Sequence, residues 1–126
     1  MKTSFKIPAI LLLIVLSVSL LQSCKRDPSV LKVFVRSNSN QLEANAKVTI
    51  IGDVNSNPPT NAYVDTVMSN TTGFATFDMT EYFGEKGKKG ATGYFDVVVK
   101  KDGKEGKGRI RCRAHITNVV TVVMEP

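Results

Sequence analysis

The chain has 126 residues, 42% hydrophobic and 22% charged, with a formal net charge of +6, one histidine, two cysteines and no tryptophan. That length holds one domain. A lone histidine, the commonest general base, leaves little material for acid–base catalysis.

Lys2 and Lys6 open the chain, and Ile7 to Leu21 follows as an apolar run broken only by Pro8, Ser17 and Ser19. Fifteen residues is short for a permanent span and suits the apolar core of a signal peptide. The next residues, Leu21-Gln22-Ser23-Cys24, resemble the lipobox of bacterial lipoprotein precursors: an aliphatic residue at −3, a small one at −1, then the cysteine. Gln22 is bulkier than the residue usual at its position. The resemblance implies diacylglycerol on the Cys24 thiol, cleavage before it, acylation (palmitate among the chains) of the new amino terminus, and a lipid anchor in a membrane. Residues 1–23 are then a signal peptide, 24–29 a lipidated tether containing Pro28, and 30–126 the folded domain.

Removing residues 1–23, and with them Lys2 and Lys6, leaves 103 residues with 15 basic against 11 acidic side chains, a formal +4. This is mildly basic, and an exported protein does not ordinarily meet nucleic acid, so none is expected as a partner. Lys25 stands where the best-studied bacteria place an inner-membrane retention Asp, which points to the cell outer membrane, on either face.

The remainder reads as short strands between turn signals. Val30–Arg36 sets Leu31, Val33 and Val35 on one face, and Ser37 to Asn40 is a turn. Ala46–Ile51 sets Ala46, Val48 and Ile50 inward, a polar loop covers Gly52 to Asn61, and Tyr63–Met68 is a weaker strand. Thr71-Thr72-Gly73 turns into Phe74–Met79. Residues 84–93 are rich in glycine and lysine and are expected to be an exposed loop. Tyr94–Val99, the Asp102-Gly103 hairpin turn, Arg109–Ile116 and Val119–Met124 complete the chain, with no amphipathic helix expected. About seven strands with frequent turns predict an all-β, single antiparallel sandwich of the Ig-like or transthyretin-like kind.

Three segments carry a family resemblance: Leu31 to Gln41, Ala46-Lys47-Val48-Thr49-Ile50, and Thr71 through Phe77. They are similar to the carboxypeptidase-regulatory-like, or transthyretin-like, β-sandwich, whose "A-x-V-x-I" and "T-x-x-G-x-A-x-F" segments they follow. Tyr94 to Val99 falls where that family has its "Y-x-V-x-V" strand, while the first turn carries Asn38, Ser39 and Asn40 in place of the usual glycine. The resemblance implies a scaffold, and a scaffold does not determine function.

Chemistry is sparse. On the expected strand Arg109–Ile116, Ile110, Cys112, Ala114 and Ile116 share one face, and Arg109, Arg111, Arg113 and His115 the other. Cys112 and His115 therefore point apart, which disfavours a thiol–imidazole pair, and no catalytic residue is assigned. With Cys24 taken by lipid, Cys112 is a lone thiol, either a small buried hydrophobe or a reactive group. Asp53-Val54-Asn55-Ser56-Asn57 echoes a calcium loop, but Pro58 replaces its glycine and Val64 its closing glutamate. Oxygens of Asp53, Asn55, Asn57 and Asp65 could hold calcium in another geometry, or simply form a polar turn; no metal or cofactor is assigned.

The most distinctive feature is basic. Ten lysines and arginines lie between Lys86 and Arg113, against Asp96, Asp102 and Glu105. Arginine forks suit phosphate and carboxylate groups, so Arg109, Arg111, Arg113 and Lys100 are the candidate contacts for an anionic partner. The plainer alternative is a solvated sheet face that discourages edge pairing. The expectation is a non-enzymatic, membrane-anchored accessory module of a cell-envelope protein complex. Its rival is a module that binds envelope polysaccharide or peptidoglycan through the basic strand face, aided by Tyr63 and Tyr94; an anionic lipid headgroup is a further possible ligand.

Overall fold

The computed structural model describes residues 27–84 and 91–126. The signal peptide, the lipidation site at Cys24 and the lysine cluster at 86–89 lie outside the described residues.

Seven strands form two sheets. We label them β1 (Val30–Arg36), β2 (Lys47–Gly52), β3 (Val64–Met68), β4 (Phe74–Asp78), β5 (Thr92–Lys101), β6 (Lys104–Arg113) and β7 (Thr117–Val123). One sheet has the order β4-β1-β7 and the other β3-β2-β5-β6. The result is the expected β-sandwich, with one pairing the sequence did not foreshadow: β1 and β7 run parallel, Val30 opposite Thr117 through Arg36 opposite Val123.

Alternation decides what lies between the sheets. Leu31, Val33 and Val35 of β1, Val48 and Ile50 of β2, Phe77 of β4, and Phe95, Val97 and Val99 of β5 are fully or almost fully buried. β-branched and aromatic side chains suit a pleated, half-buried surface, and each inward residue is flanked by outward ones, so both sheets bury one face. Near one end the core is aromatic: the Tyr82 ring meets Tyr63, Phe83 and Phe95 edge-on at 5.4, 4.8 and 5.1 Å. Edge-to-face packing places ring edges against the negative faces of their neighbours.

Two devices set the shape. At the β5–β6 hairpin, Asp102 and Gly103 both have positive φ, 50° and 79°, as a two-residue turn matched to strand twist requires. At the far side of the sandwich, β7 passes so close to β6 that a Cβ on Gly106 would sit 2.7 Å from the Val123 carbonyl oxygen and 2.8 Å from a Val122 methyl. Glycine there lets the two sheets close on each other, and a bridge between Glu105 and Glu125 continues the seam.

The structure corrects several sequence expectations. Strand β6 stops at Arg113, and residues 114–116 form a turn. His115 adopts a positive φ of 63° because its N–H donates to Ser29 Oγ (2.7 Å), while Nδ1 donates to the Asp27 carbonyl (2.9 Å). His115 is thus not on the strand's outward face, and Ile116, expected inward, is 45% exposed. Strand β5 extends to Thr92 and Lys101. A single helical turn, α1, covers Thr80–Phe83, where no helix was expected.

Candidate functional site

Strand pairing places the outward side chains of the four-stranded sheet in rows. From the β3 edge inward these are Met68–Lys47–Lys100–Glu105, then Thr66–Thr49–Val98–Lys107, then Val64–Ile51–Asp96–Arg109. Below them Tyr94 faces Arg111, and Thr92 faces Arg113. The three arginines therefore do line up along β6, but Lys100 stands with Lys47 and Lys107 toward the other end of the sheet.

Arg109 separates these two cationic groups. Its guanidinium donates to Asp53 at 2.6 Å and to Asp96 at 3.2 Å, and lies over the Tyr94 ring at 5.6 Å. Asp53 also accepts the Asn55 N–H at 3.0 Å. The hydrogen bond from Arg109, reinforced by that from Asn55, holds the Asp53 carboxyl below the usual aspartate value; the same contact raises Arg109. Both Asp53 oxygens are thus committed within the protein. Among the described residues, no group of three or more His, Cys, Asp or Glu side chains could hold a metal ion.

The loop behind Asp53 is ordered by β5. The Asp53 N–H donates to the Tyr94 carbonyl at 2.9 Å, and the Tyr94 N–H donates to Thr60 Oγ1 at 2.8 Å. Ser56 and Thr60 hydroxyls meet at 2.9 Å beneath the loop. The polar run read from sequence is a clasp joined to the sheet by Arg109. Sequence reasoning missed Asp53 and Asp96 as its counter-ions. The Asp96 partner follows from placing β5 beside β6, whereas Asp53 lies 56 residues from Arg109 and carries no local sign of the contact.

Tyr63 and Tyr94, which the polysaccharide reading would use as exposed aromatics, are both half-buried. Tyr63 packs edge-on against Tyr82 and Phe95, and burial raises its hydroxyl pKa. Arg109 covers one face of Tyr94, which removes that face as a stacking platform for sugar.

What remains available is the upper part of the face. Val64 is 66% exposed, Met68 54% and Ile51 39%, with Val64 directly opposite Ile51. A shallow, open depression of about 350 Å3 lies between Lys47, Thr49, Ile51, Val98, Lys100, Glu105 and Lys107, so one carboxylate stands among its three lysines. Lys47 and Lys100 make no ion pair among the described residues, and Lys107 only approaches Glu105 at 4.0 Å. Of the residues proposed from sequence, Lys100, Arg111 and Arg113 have no ion pair among the described residues, and Arg109 has two. Val64, Met68, Ile51 and Lys47 were missed because each looked like an ordinary outward residue until four strands were set side by side.

The Cys112 thiol is fully buried on the opposite, inward face. Desolvation pushes its pKa up to about 12, so it is neither a thiolate nucleophile nor a partner for His115. Among the described residues, no helix is long and apolar enough to cross a membrane.

No family model matches the chain, and no curated protein matches it. Among solved structures, chlorocatechol 1,2-dioxygenase from Pseudomonas putida is similar over 80% of this chain and 61% of that one, with 14% identity and a TM-score of 0.47. The chain spans about 61% of that enzyme's length, and so distant a likeness transfers no chemistry.

Proposed function

We propose that the protein is a lipid-anchored, non-enzymatic accessory module of an outer-membrane protein complex, and that it binds its partner through the outer face of the β3-β2-β5-β6 sheet. One observation carries the reading: exposed Val64, Met68 and Ile51 adjoin a depression walled by Lys47 and Lys100, which have no counter-ion among the described residues. Exposed apolar patches rimmed by charge are typical of protein–protein contacts. The complementary surface on the partner is apolar with carboxylates at its margin, since like-charged Lys47 and Lys100 side by side favour an anionic neighbour.

The anchor supports the same reading. Leu21-Gln22-Ser23-Cys24 after an apolar run resembles a lipobox, and acyl chains at Cys24 would hold the module in a membrane durably. A sandwich of carboxypeptidase-regulatory-like type is a suitable scaffold for such a face. A Cys112 thiol buried and protonated, with His115 engaged in a turn, favours binding over catalysis.

Affinity purification of C-terminally tagged protein at native level, from detergent-solubilised membranes, tests the proposal. A stoichiometric envelope partner, lost with Cys24→Ala, is the expected result. Repeated recovery of the acylated chain alone would overturn it.

A further inference from the structure

The two ends of the sandwich differ in a way that bears on how it sits against a lipid surface. The chain enters the fold beside the β6–β7 turn: Asp27 is bonded to His115, Ser29 accepts the Met79 N–H at 2.8 Å, and the Val30 N–H donates to the Ile116 carbonyl at 3.1 Å. Only Lys25 and Arg26 separate Asp27 from Cys24. Three steps of extended chain reach at most about 11 Å. Acyl chains on Cys24 would therefore keep this end of the sandwich close to the headgroups, with Asp27 at most about one and a half screening lengths away at physiological salt.

The same end is polarised. On the β6 side it carries Arg111 and Arg113, both exposed and without an ion pair among the described residues, together with Ile116, 45% exposed at the tip of the turn. Across the end, Asp78 and Glu81 mark the side of β4 and α1. Among the described residues, Asp27 is the acid beside this cationic, apolar-tipped corner, and Asp78 and Glu81 lie opposite, so the end favours an anionic surface on its β6 side.

We propose that Arg111, Arg113 and Ile116 seat the sandwich on an anionic phospholipid surface, tilted onto its β6 side. The arginines meet headgroup phosphates and Ile116 enters the interfacial layer. Each arginine near such a surface contributes roughly a fivefold preference for the seated state. Seated this way, the corner with Lys47, Lys100 and Lys107 stays off the bilayer and open to a protein partner. This inference rests on lipidation at Cys24, and the test separates the two.

The chain has no tryptophan, so one introduced in place of Ile116 reports that position alone. The mature lipoprotein carrying Ile116→Trp is reconstituted into vesicles of phosphatidylcholine and phosphatidylglycerol with brominated acyl chains. Leu42→Trp, at a half-exposed site on the opposite end, serves as the reference. Vesicle flotation reads the anchor, and indole fluorescence reads the seat. Both variants are expected to float with the vesicles. Emission from Ile116→Trp should be blue-shifted and quenched, and that from Leu42→Trp unaffected. Adding Arg111→Glu and Arg113→Glu to Ile116→Trp should abolish the quenching. Flotation with the indole of Ile116→Trp as solvent-exposed as that of Leu42→Trp overturns the seating while leaving the anchor intact. Failure to float overturns the anchor, and the seating with it.

Discussion

Lys47 of β2 and Lys100 of β5 are direct partners across the sheet, both exposed, and neither has a counter-ion among the described residues. Like charges placed opposite one another work against strand pairing. Glu105 faces Lys100 from β6, and under the proposed function an anionic partner would offset the remaining repulsion.

Lys47→Glu separates the two roles of that site. It creates an opposite-charge pair with Lys100, so the isolated domain should gain about 0.2–1 kcal/mol, read as a higher denaturant midpoint. Partner recovery should fall in the same variant. A protein that became more stable and kept its partner would show that the lysine pair takes no part in binding.

Arg109 should act as a clasp and not as a ligand contact. Its removal frees Asp53, so the Asp53 carboxyl, held low mainly by the Arg109 hydrogen bond, should rise toward the ordinary aspartate value in Arg109→Ala. Carbon-detected NMR titration of the carboxyl measures this. The linkage has a definite sign: a depressed folded pKa gives stability that is present above the unfolded value, about 3.9, and is lost as pH falls through the folded one. The acid-side loss of stability should therefore be shallower in Arg109→Ala. An unchanged Asp53 titration would mean that the contact is absent in solution.

Much of the fold follows from alternation alone. Leu31, Val33, Val35, Ala46, Val48 and Ile50 are inward, as period-two reading requires, and Asp102-Gly103 makes the tight turn that its dipeptide signals. Contacts between distant segments escape such reading. The end of β6 at Arg113 depends on Ser29 capturing the His115 N–H from 86 residues away, and β7 lies parallel to β1 because the sandwich closes there. The candidate site divides in the same manner. The arginine row is a property of one strand, whereas the lysine-walled depression needs β2, β5 and β6 together.

The closure of the sandwich should be sensitive to Gly106. A side chain there meets the Val123 carbonyl and a Val122 methyl, and backbone has little room to yield. Gly106→Val should cost about 1–3 kcal/mol, as overpacking typically does. Gly84 has open space around its Cβ direction but a φ of 79°, so a loss in Gly84→Ala reflects backbone strain alone. A urea midpoint unchanged in Gly106→Val would argue against a tight β6–β7 seam.

Cys112 is expected to be inert in the native state and visible only through unfolding. It sits against the core on the inner side of β6, and burial holds the thiol protonated up to about pH 12. A charged maleimide should leave it unmodified in buffer and label it fully in denaturant. Because the folded pKa is raised, its contribution to stability is complete below the unfolded thiol value of about 8.5 and declines as pH rises toward the folded one. Across that window the slope approaches about 1.4 kcal/mol per pH unit for a single group. Tyrosines and lysines titrate in the same range, so the quantity to measure is the difference between the native protein and Cys112→Ala. The alanine variant should be the less stable at neutral pH, having lost a buried sulfur, and the gap should narrow steadily once pH passes the unfolded thiol value. A gap independent of pH would mean that the thiol ionises as freely folded as unfolded, and that Cys112 is reached by solvent.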